Sequence, residues 1–90
     1  MSQPLTELEI LSEIIAPEEG SMSADAATEV LKWKFSDRAV LRMNELVSKN
    51  RDDNISQEEL QELDRFMRVG NLINLLHAKA RLSLKNRLTP

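Results

Sequence analysis

The C-terminal third of the chain carries one long helical pattern, and this feature most limits the folds open to the protein. Ser56 and Glu59 have the spacing of a capping box, and Ile55 and Leu60 are placed for the hydrophobic staple that accompanies one. From Leu60 to about Lys85, apolar residues recur at helical spacing. The resulting helix of about 30 residues is far longer than the average of about 10–14. The pattern predicts an all-α protein dominated by this C-terminal helix.

Gly70 lies in the middle of that helix and leaves two interpretations open. An interior glycine costs about 1 kcal/mol relative to alanine. Gly70 either ends one helix, with Asn71 capping the next, or lies in a continuous or mildly bent helix and admits close approach of another helix. We favour the continuous helix. Four of the five residues from Leu72 to Leu76 are large aliphatics, which is too wide an apolar surface for a one-sided helix. This segment is therefore either central to the fold or covered by a second subunit.

Three shorter helices are predicted before it, each beginning at a hydroxyl residue that can cap a helix. They run from Thr6 to just before Pro17, from Ser23 to about Lys34, and from Ser36 to about Lys49 or Asn50. We therefore expect a small bundle of about four helices. Residues 1–90 form a single domain, with loose ends at 1–4 and 87–90.

The size and composition of the chain point to a thin core. Ninety residues bury only about 60–65% of the unfolded surface. There is no cysteine, so no disulfide compensates, and a homodimer is an open possibility. No stretch approaches the roughly 20 apolar residues of a membrane span, and the first residues lack the basic segment of a signal peptide. We expect a cytoplasmic protein without membrane contact.

Charge is distributed unevenly along the chain. Residues 1–31 hold seven acidic and no basic residues, whereas residues 65–90 hold six basic and no acidic residues. The acidic part can lie beside the basic part, within one chain or across a dimer, and part of the pattern can reflect matching of charges to helix dipoles. Alternatively, the basic end meets an acidic protein or a nucleic acid.

Few residues suggest catalysis or the binding of a metal or cofactor. The stretch from Ser48 to Glu59 resembles a degenerate single EF-hand loop, but Asp53 stands where the sharp turn needs glycine. An ordinary turn before a capped helix explains the same residues. His77 is the only histidine and has no metal-binding neighbours one turn away. There is no glycine-rich phosphate loop. We expect no enzymatic activity, no cofactor and no metal.

Seven residues are candidates for partner binding. Trp33 and Phe35 flank a short loop, where they fill a gap between helices or anchor a partner. The apolar middle of the long helix and its basic end supply the others. The full set is Trp33, Phe35, Leu72, Leu76, Lys79, Arg81 and Lys85. Because no aromatic residue is interleaved with the bases, stacking on single-stranded nucleic acid is not favoured.

Residues 23–86 resemble a family of short, largely uncharacterised bacterial proteins. The resemblance is carried by Phe35 and Asp37, by "RMNEL" at 42–46, by Ser56 with Glu58 and Glu59, and by "VGNLINLLHAKARLSLK" at 69–85. Such proteins tend to be encoded beside small nuclease-type genes. The resemblance implies an antitoxin-like or accessory role, and it supplies no catalytic residue.

The leading functional hypothesis is a non-enzymatic interaction or regulatory protein that uses its apolar and then basic C-terminal helix. Its partner would be a second copy of the chain, or an acidic or toxin-like protein. The alternative is a regulator that binds nucleic acid through the basic end. A degenerate EF-hand calcium binder is the least favoured.

Overall fold

The computed structural model describes residues 3–88, without the side chains of 87 and 88. Within them the chain forms four helices and no strand: α1 (Glu7–Ile15), α2 (Ala24–Val30), α3 (Asp37–Arg51) and α4 (Gln57–Leu88). The predicted all-α fold with a long C-terminal helix is confirmed. Residues 1, 2, 89 and 90 of the predicted loose ends lie outside the described residues, and α4 includes positions 87 and 88. No helix in the described part of the chain is long and apolar enough to cross a lipid bilayer.

The four helix starts are set by local hydrogen bonds, as the sequence predicts. Each capping hydroxyl accepts a bond from the backbone N–H three residues later, which satisfies one of the free donors of the first turn. The bonds join Glu9 to Thr6, Ala26 to Ser23, Ala39 to Ser36 and Glu59 to Ser56, at 3.1 to 3.2 Å. In α4 the Glu59 carboxylate also accepts from the Ser56 N–H at 3.1 Å, which completes the capping box.

The end of α2 differs from the sequence-based expectation. The helix stops at Val30 rather than near Lys34. After it, the N–H groups of Lys32 and Trp33 bond to carbonyls only three residues back, which tightens the chain into a turn. The extended conformation that Ser36 needs as a cap (φ −66°, ψ 160°) follows shortly afterwards. The expected helix was too long because the next cap requires the chain to leave helical geometry.

Helix α4 continues through Gly70, so the alternative in which Asn71 caps a new helix is wrong. A Cβ built on Gly70 would meet the ring of Phe35 at 3.8 Å, an ordinary van der Waals distance. The group lying over Gly70 is therefore a side chain from the segment before α3, not the backbone of another helix. The expectation that this glycine admits a helix at close range is also wrong.

The chain divides into two compact units. The central unit is Lys34–Gly70, and the terminal unit comprises the chain up to Trp33 and again from Asn71. In the terminal unit, Ala27, Val30 and Ala80 are buried together. Four partly buried residues pack against them: Met22, Leu31, Leu76 and Leu84.

The segment between α1 and α2 lies directly against α4 in the terminal unit. Ser83 is fully buried, and its Oγ accepts a hydrogen bond from the Met22 N–H at 3.1 Å and donates one to the Lys79 carbonyl at 2.7 Å. A Cβ on Gly20 would lie 3.0 Å from the backbone carbonyl of Leu82. Glycine at position 20 therefore allows this segment to approach the helix backbone.

The central unit is a helical hairpin. Leu46 of α3 and Leu63 of α4 are its buried aliphatic residues among those described. The rings of Phe35 and Phe66 meet edge-to-face with centroids 5.8 Å apart. Ion pairs join residue 42 to residue 62 and residue 49 to residue 59, so the two helices run antiparallel.

Candidate functional site

Of the predicted basic contact residues, Lys79 is engaged within the terminal unit. Its Nζ donates to the carbonyl of Ile15 at 2.7 Å. Ile15 is the last residue of α1, a helix with no base in its own last turn. A cation there bonds to a carbonyl that the helix leaves free and complements the helix dipole. Lys79 therefore stabilises the fold, whereas Arg81 and Lys85 are exposed on α4.

The apolar middle of α4 is also used inside the protein. Leu76 packs against the core of the terminal unit, and Leu72 is half-buried. The sequence left open whether the Leu72–Leu76 segment is central to the fold or covered by a second subunit. Packing within the chain accounts for the partial burial of Leu76. A contact of Leu72 and Leu76 with a partner stays a prediction.

Trp33 and Phe35 fall into different units. The Trp33 side chain is 48% exposed, and its carbonyl lies 2.8 Å from Nε2 of His77. The imidazole donates this hydrogen bond when Nε2 carries the proton. Phe35 packs on Phe66 in the central unit. Only Trp33 keeps the exposure expected of a partner anchor at the surface.

An ion-pair cluster occupies one flank of the hairpin. Arg42 donates to both carboxylate oxygens of Glu62, at 2.7 and 2.8 Å, and Lys49 Nζ donates to Glu59 at 2.7 Å. The Lys49 hydrogen bond and the Ser56 N–H lower the pKa of Glu59 from 4.5 to about 2. The two hydrogen bonds from Arg42 likewise lower the pKa of Glu62.

This cluster contains the residues that suggested a calcium loop. Helix α3 continues to Arg51, so Ser48 and Asn50 are helical instead of lying in a loop. The Glu59 carboxylate already accepts bonds from Lys49 and from the Ser56 N–H. In the described residues no group of three or more His, Cys, Asp or Glu side chains is arranged to hold a metal ion. The geometry is that of a turn between two helices, with a capped second helix.

A small apolar depression opens beside the two phenylalanines. We call it the Phe35–Phe66 notch. It has a volume of about 270 Å³ and is lined by Phe35, Glu62, Arg65, Phe66 and Val69. A second depression of about 340 Å³ shares Glu62 and Phe66 with it and is bordered by Arg38. Sequence reasoning placed only Phe35 among the site residues. The spacing of Phe66 and Val69 beside Arg65, in a chain with three aromatic residues, was the available signal.

Exposed apolar side chains outnumber buried ones. Among the described residues, five hydrophobic residues are buried and eleven large ones are exposed. The most exposed are Ile14 at 76%, Leu41 at 72% and Met67 at 62%. Exposed hydrophobic residues that lie singly are ordinary, whereas exposed hydrophobic residues that lie together on one surface are typical of a site that binds another chain.

Some of these exposed residues share one face of the hairpin. The ion pairs of Arg42 and Lys49 with Glu62 and Glu59 lie along one edge of the contact between α3 and α4. By helical geometry, the other edge of this contact is formed by the flank of each helix that does not carry the ion pairs. Those opposite flanks carry Val40 and Val47 on α3 and Leu60 and Met67 on α4, all of them exposed. We call these four residues the hairpin apolar face.

No protein-family model, curated protein or solved structure matches this chain.

Proposed function

We propose that this chain is a non-enzymatic binding protein that regulates another protein in the cytoplasm by burying apolar helix surface against it. The observation that carries the proposal is the ratio of eleven exposed large hydrophobics to five buried hydrophobic residues in the described part of the chain. Burial of apolar area is the main driving force of protein association. A chain that leaves this much of it in water gains stability when another chain covers it.

The titratable groups fit binding better than catalysis. A general acid or base works best with a pKa near the operating pH. The pKa values of Glu59 and Glu62 are shifted the other way, and both carboxylates are held by cations. Nε2 of His77 is engaged by the Trp33 carbonyl. These residues stabilise the protein's own structure.

The hairpin apolar face is the principal contact in this proposal. Met67 is its most exposed member, at 62%. The partner is a second copy of the chain, or an acidic, toxin-like protein encoded by a neighbouring gene. The latter choice follows from the resemblance to the bacterial family with "VGNLINLLHAKARLSLK"-like helices and from the bases that α4 exposes. An antitoxin-like regulator of this kind needs no catalytic group.

The test is the solution mass of the chain, alone and co-expressed with the product of the neighbouring gene, by size-exclusion chromatography with light scattering. We expect a dimer or a stoichiometric complex. Met67→Glu should lower its mass to that of the free chain, because a charge at the centre of a contact is costly to bury. Leu41→Glu is the matched control, since Leu41 is as exposed but lies on another flank of α3. A monomer without co-purification in every preparation refutes the function, and a complex that survives Met67→Glu refutes this choice of face.

Nucleic-acid binding through the basic end is the second candidate, favoured by the exposure of Arg81. The engagement of Lys79 by Ile15 removes one base from that surface. Binding to phosphates would weaken steeply with salt. If duplex DNA at low salt gives no mobility shift, or if Arg81→Gln leaves a shift unchanged, this candidate fails.

A further inference from the structure

The Phe35–Phe66 notch combines an apolar floor with a charged border. Phe35 and Phe66 are half-buried and contact each other edge-to-face, while Val69 is 45% exposed. The notch therefore presents ring and methyl surface to the solvent. Aromatic pockets of this kind are where single side chains of a partner contribute most to binding.

The volume of the notch limits what it can hold. Sites for small molecules and cofactors typically enclose about 300–1,000 Å³. At about 270 Å³, the notch lies just below that range. The space accommodates one large aliphatic or aromatic side chain.

The charges around the notch are not all neutralised by the protein itself. In the central unit, three arginines are paired with carboxylates: Arg42 with Glu45, Glu59 and Glu62, Arg51 with Asp52, and Arg68 with Asp64. Among the described residues, neither Arg38 nor Arg65 makes a hydrogen bond or a close ion pair, and the charge of Arg65 acts on Glu62 only at longer range. Both are exposed, and they border the two depressions that share Glu62 and Phe66.

Glu62, the carboxylate that lines both depressions among the described residues, already has a partner. Both oxygens of Glu62 accept a hydrogen bond from Arg42, whereas Arg65 acts on this carboxylate only through its charge, as a minor cause of its lowered pKa. The border thus offers two guanidinium groups, which bind carboxylates with good geometry and are common at the centre of interfaces. The charge complement of this surface is acidic.

We propose that the Phe35–Phe66 notch binds an acidic segment of the partner protein, which inserts one large apolar side chain and pairs its carboxylates with Arg65 and Arg38. The inference rests on the proposed function, because it assigns a partner chemistry and a second contact to the same binding protein. In this inference the acidic segment of the partner binds to the central unit and not to the basic end of α4.

The probe is a short fluorescein-labelled peptide with one leucine flanked by glutamates, titrated with the full chain at low salt and followed by fluorescence anisotropy. Two control peptides carry serine for the leucine or glutamine for the glutamates. We expect the acidic leucine peptide to bind tighter than either control, and its affinity to fall with salt because the ion pairs are exposed.

The variants are Arg65→Gln and Val69→Ser, both at exposed positions, with circular dichroism as the check that the helices persist. Each should weaken binding by about tenfold, the range of an interface residue at a central contact. Arg51→Gln is the matched control, an exposed arginine of the same unit that lines neither depression. It should leave the affinity unchanged.

The outcomes separate this inference from the proposed function. A wild-type chain that binds the three peptides equally overturns the notch proposal, and so does binding that Arg65→Gln weakens no more than Arg51→Gln does. If the peptides or variants give one of these results but the chain still forms its dimer or complex in the solution-mass experiment, the proposed function stands and only the notch proposal fails. If the chain is monomeric and no partner co-purifies with it, both the proposed function and the notch proposal fail.

Discussion

Gly20→Ala should destabilise the protein, whereas Gly70→Ala should stabilise it. At position 20 the new Cβ would lie 2.6 Å from Nδ2 of Asn86 and 3.0 Å from the backbone C and O of Leu82. The exposed Asn86 side chain can rotate away, but the Leu82 carbonyl belongs to α4 and cannot move without disturbing the helix. The segment between α1 and α2 must therefore lift from α4.

The magnitude at position 20 follows from two opposing effects. Overpacking of this kind typically costs about 1–3 kcal/mol, and lifting the segment also strains the bond between the Met22 N–H and Ser83. Lower entropy of the unfolded chain returns about 0.4–1 kcal/mol for any Gly→Ala change. At the middle of both ranges, the net loss of unfolding free energy should be about 1.3 kcal/mol.

At position 70 no close contact opposes the stabilisation that alanine brings to the helix. The new Cβ would meet Phe35 at 3.8 Å, an ordinary contact, and Gly70 lies inside a helix with no left-handed conformation to preserve. Alanine should add about 1 kcal/mol through helix propensity. In a domain of this size, 1 kcal/mol shifts the melting temperature by about 4–8 °C.

The assay is thermal unfolding of both variants and the parent, followed by far-ultraviolet circular dichroism. The expected order of melting temperature is Gly70→Ala, parent, Gly20→Ala. A Gly20→Ala protein that melts at or above the parent would show that the segment is not held against α4. A Gly70→Ala protein that melts below it would refute the ordinary contact with Phe35.

Three further predictions concern hydrogen bonds. Ser83→Ala should cost about 1–3 kcal/mol in urea denaturation, since it removes a buried acceptor from the Met22 N–H, and an unchanged midpoint would contradict that. Ser56→Ala should cost about 1 kcal/mol through loss of the α4 cap, with Ser56→Thr retaining most of it. Glu59 has a folded-state pKa of about 2 against 4.5 ordinarily, so its ionised form contributes stability above pH 4.5 that is lost as the pH falls toward 2. Glu59→Gln should therefore flatten the pH dependence of stability in that window, and an identical slope for the two proteins would refute the role of its ion pair with Lys49.

The candidate surface was harder to predict than the helices. The notch joins Phe35 to Phe66, and the ion-pair flank joins Arg42 to Glu62, so each depends on the register in which α3 lies against α4. Periodicity gives the faces of a helix but not the residue that each position meets on its neighbour. For the same reason, the sequence marked Lys79 as a partner contact when its actual neighbour is the end of α1.

The sequence by itself determined where the helices begin. A hydroxyl at Thr6, Ser23, Ser36 or Ser56 acts within three residues of its own position, and no distant contact is needed for it to cap a helix. The all-α class follows from the same local signals. Tertiary structure decided what the long helix does with its surface. In the folded chain Leu76 packs against a core, Lys79 donates a hydrogen bond to the Ile15 carbonyl and Met67 stays exposed. These outcomes depend on which segments of the folded chain contact the helix.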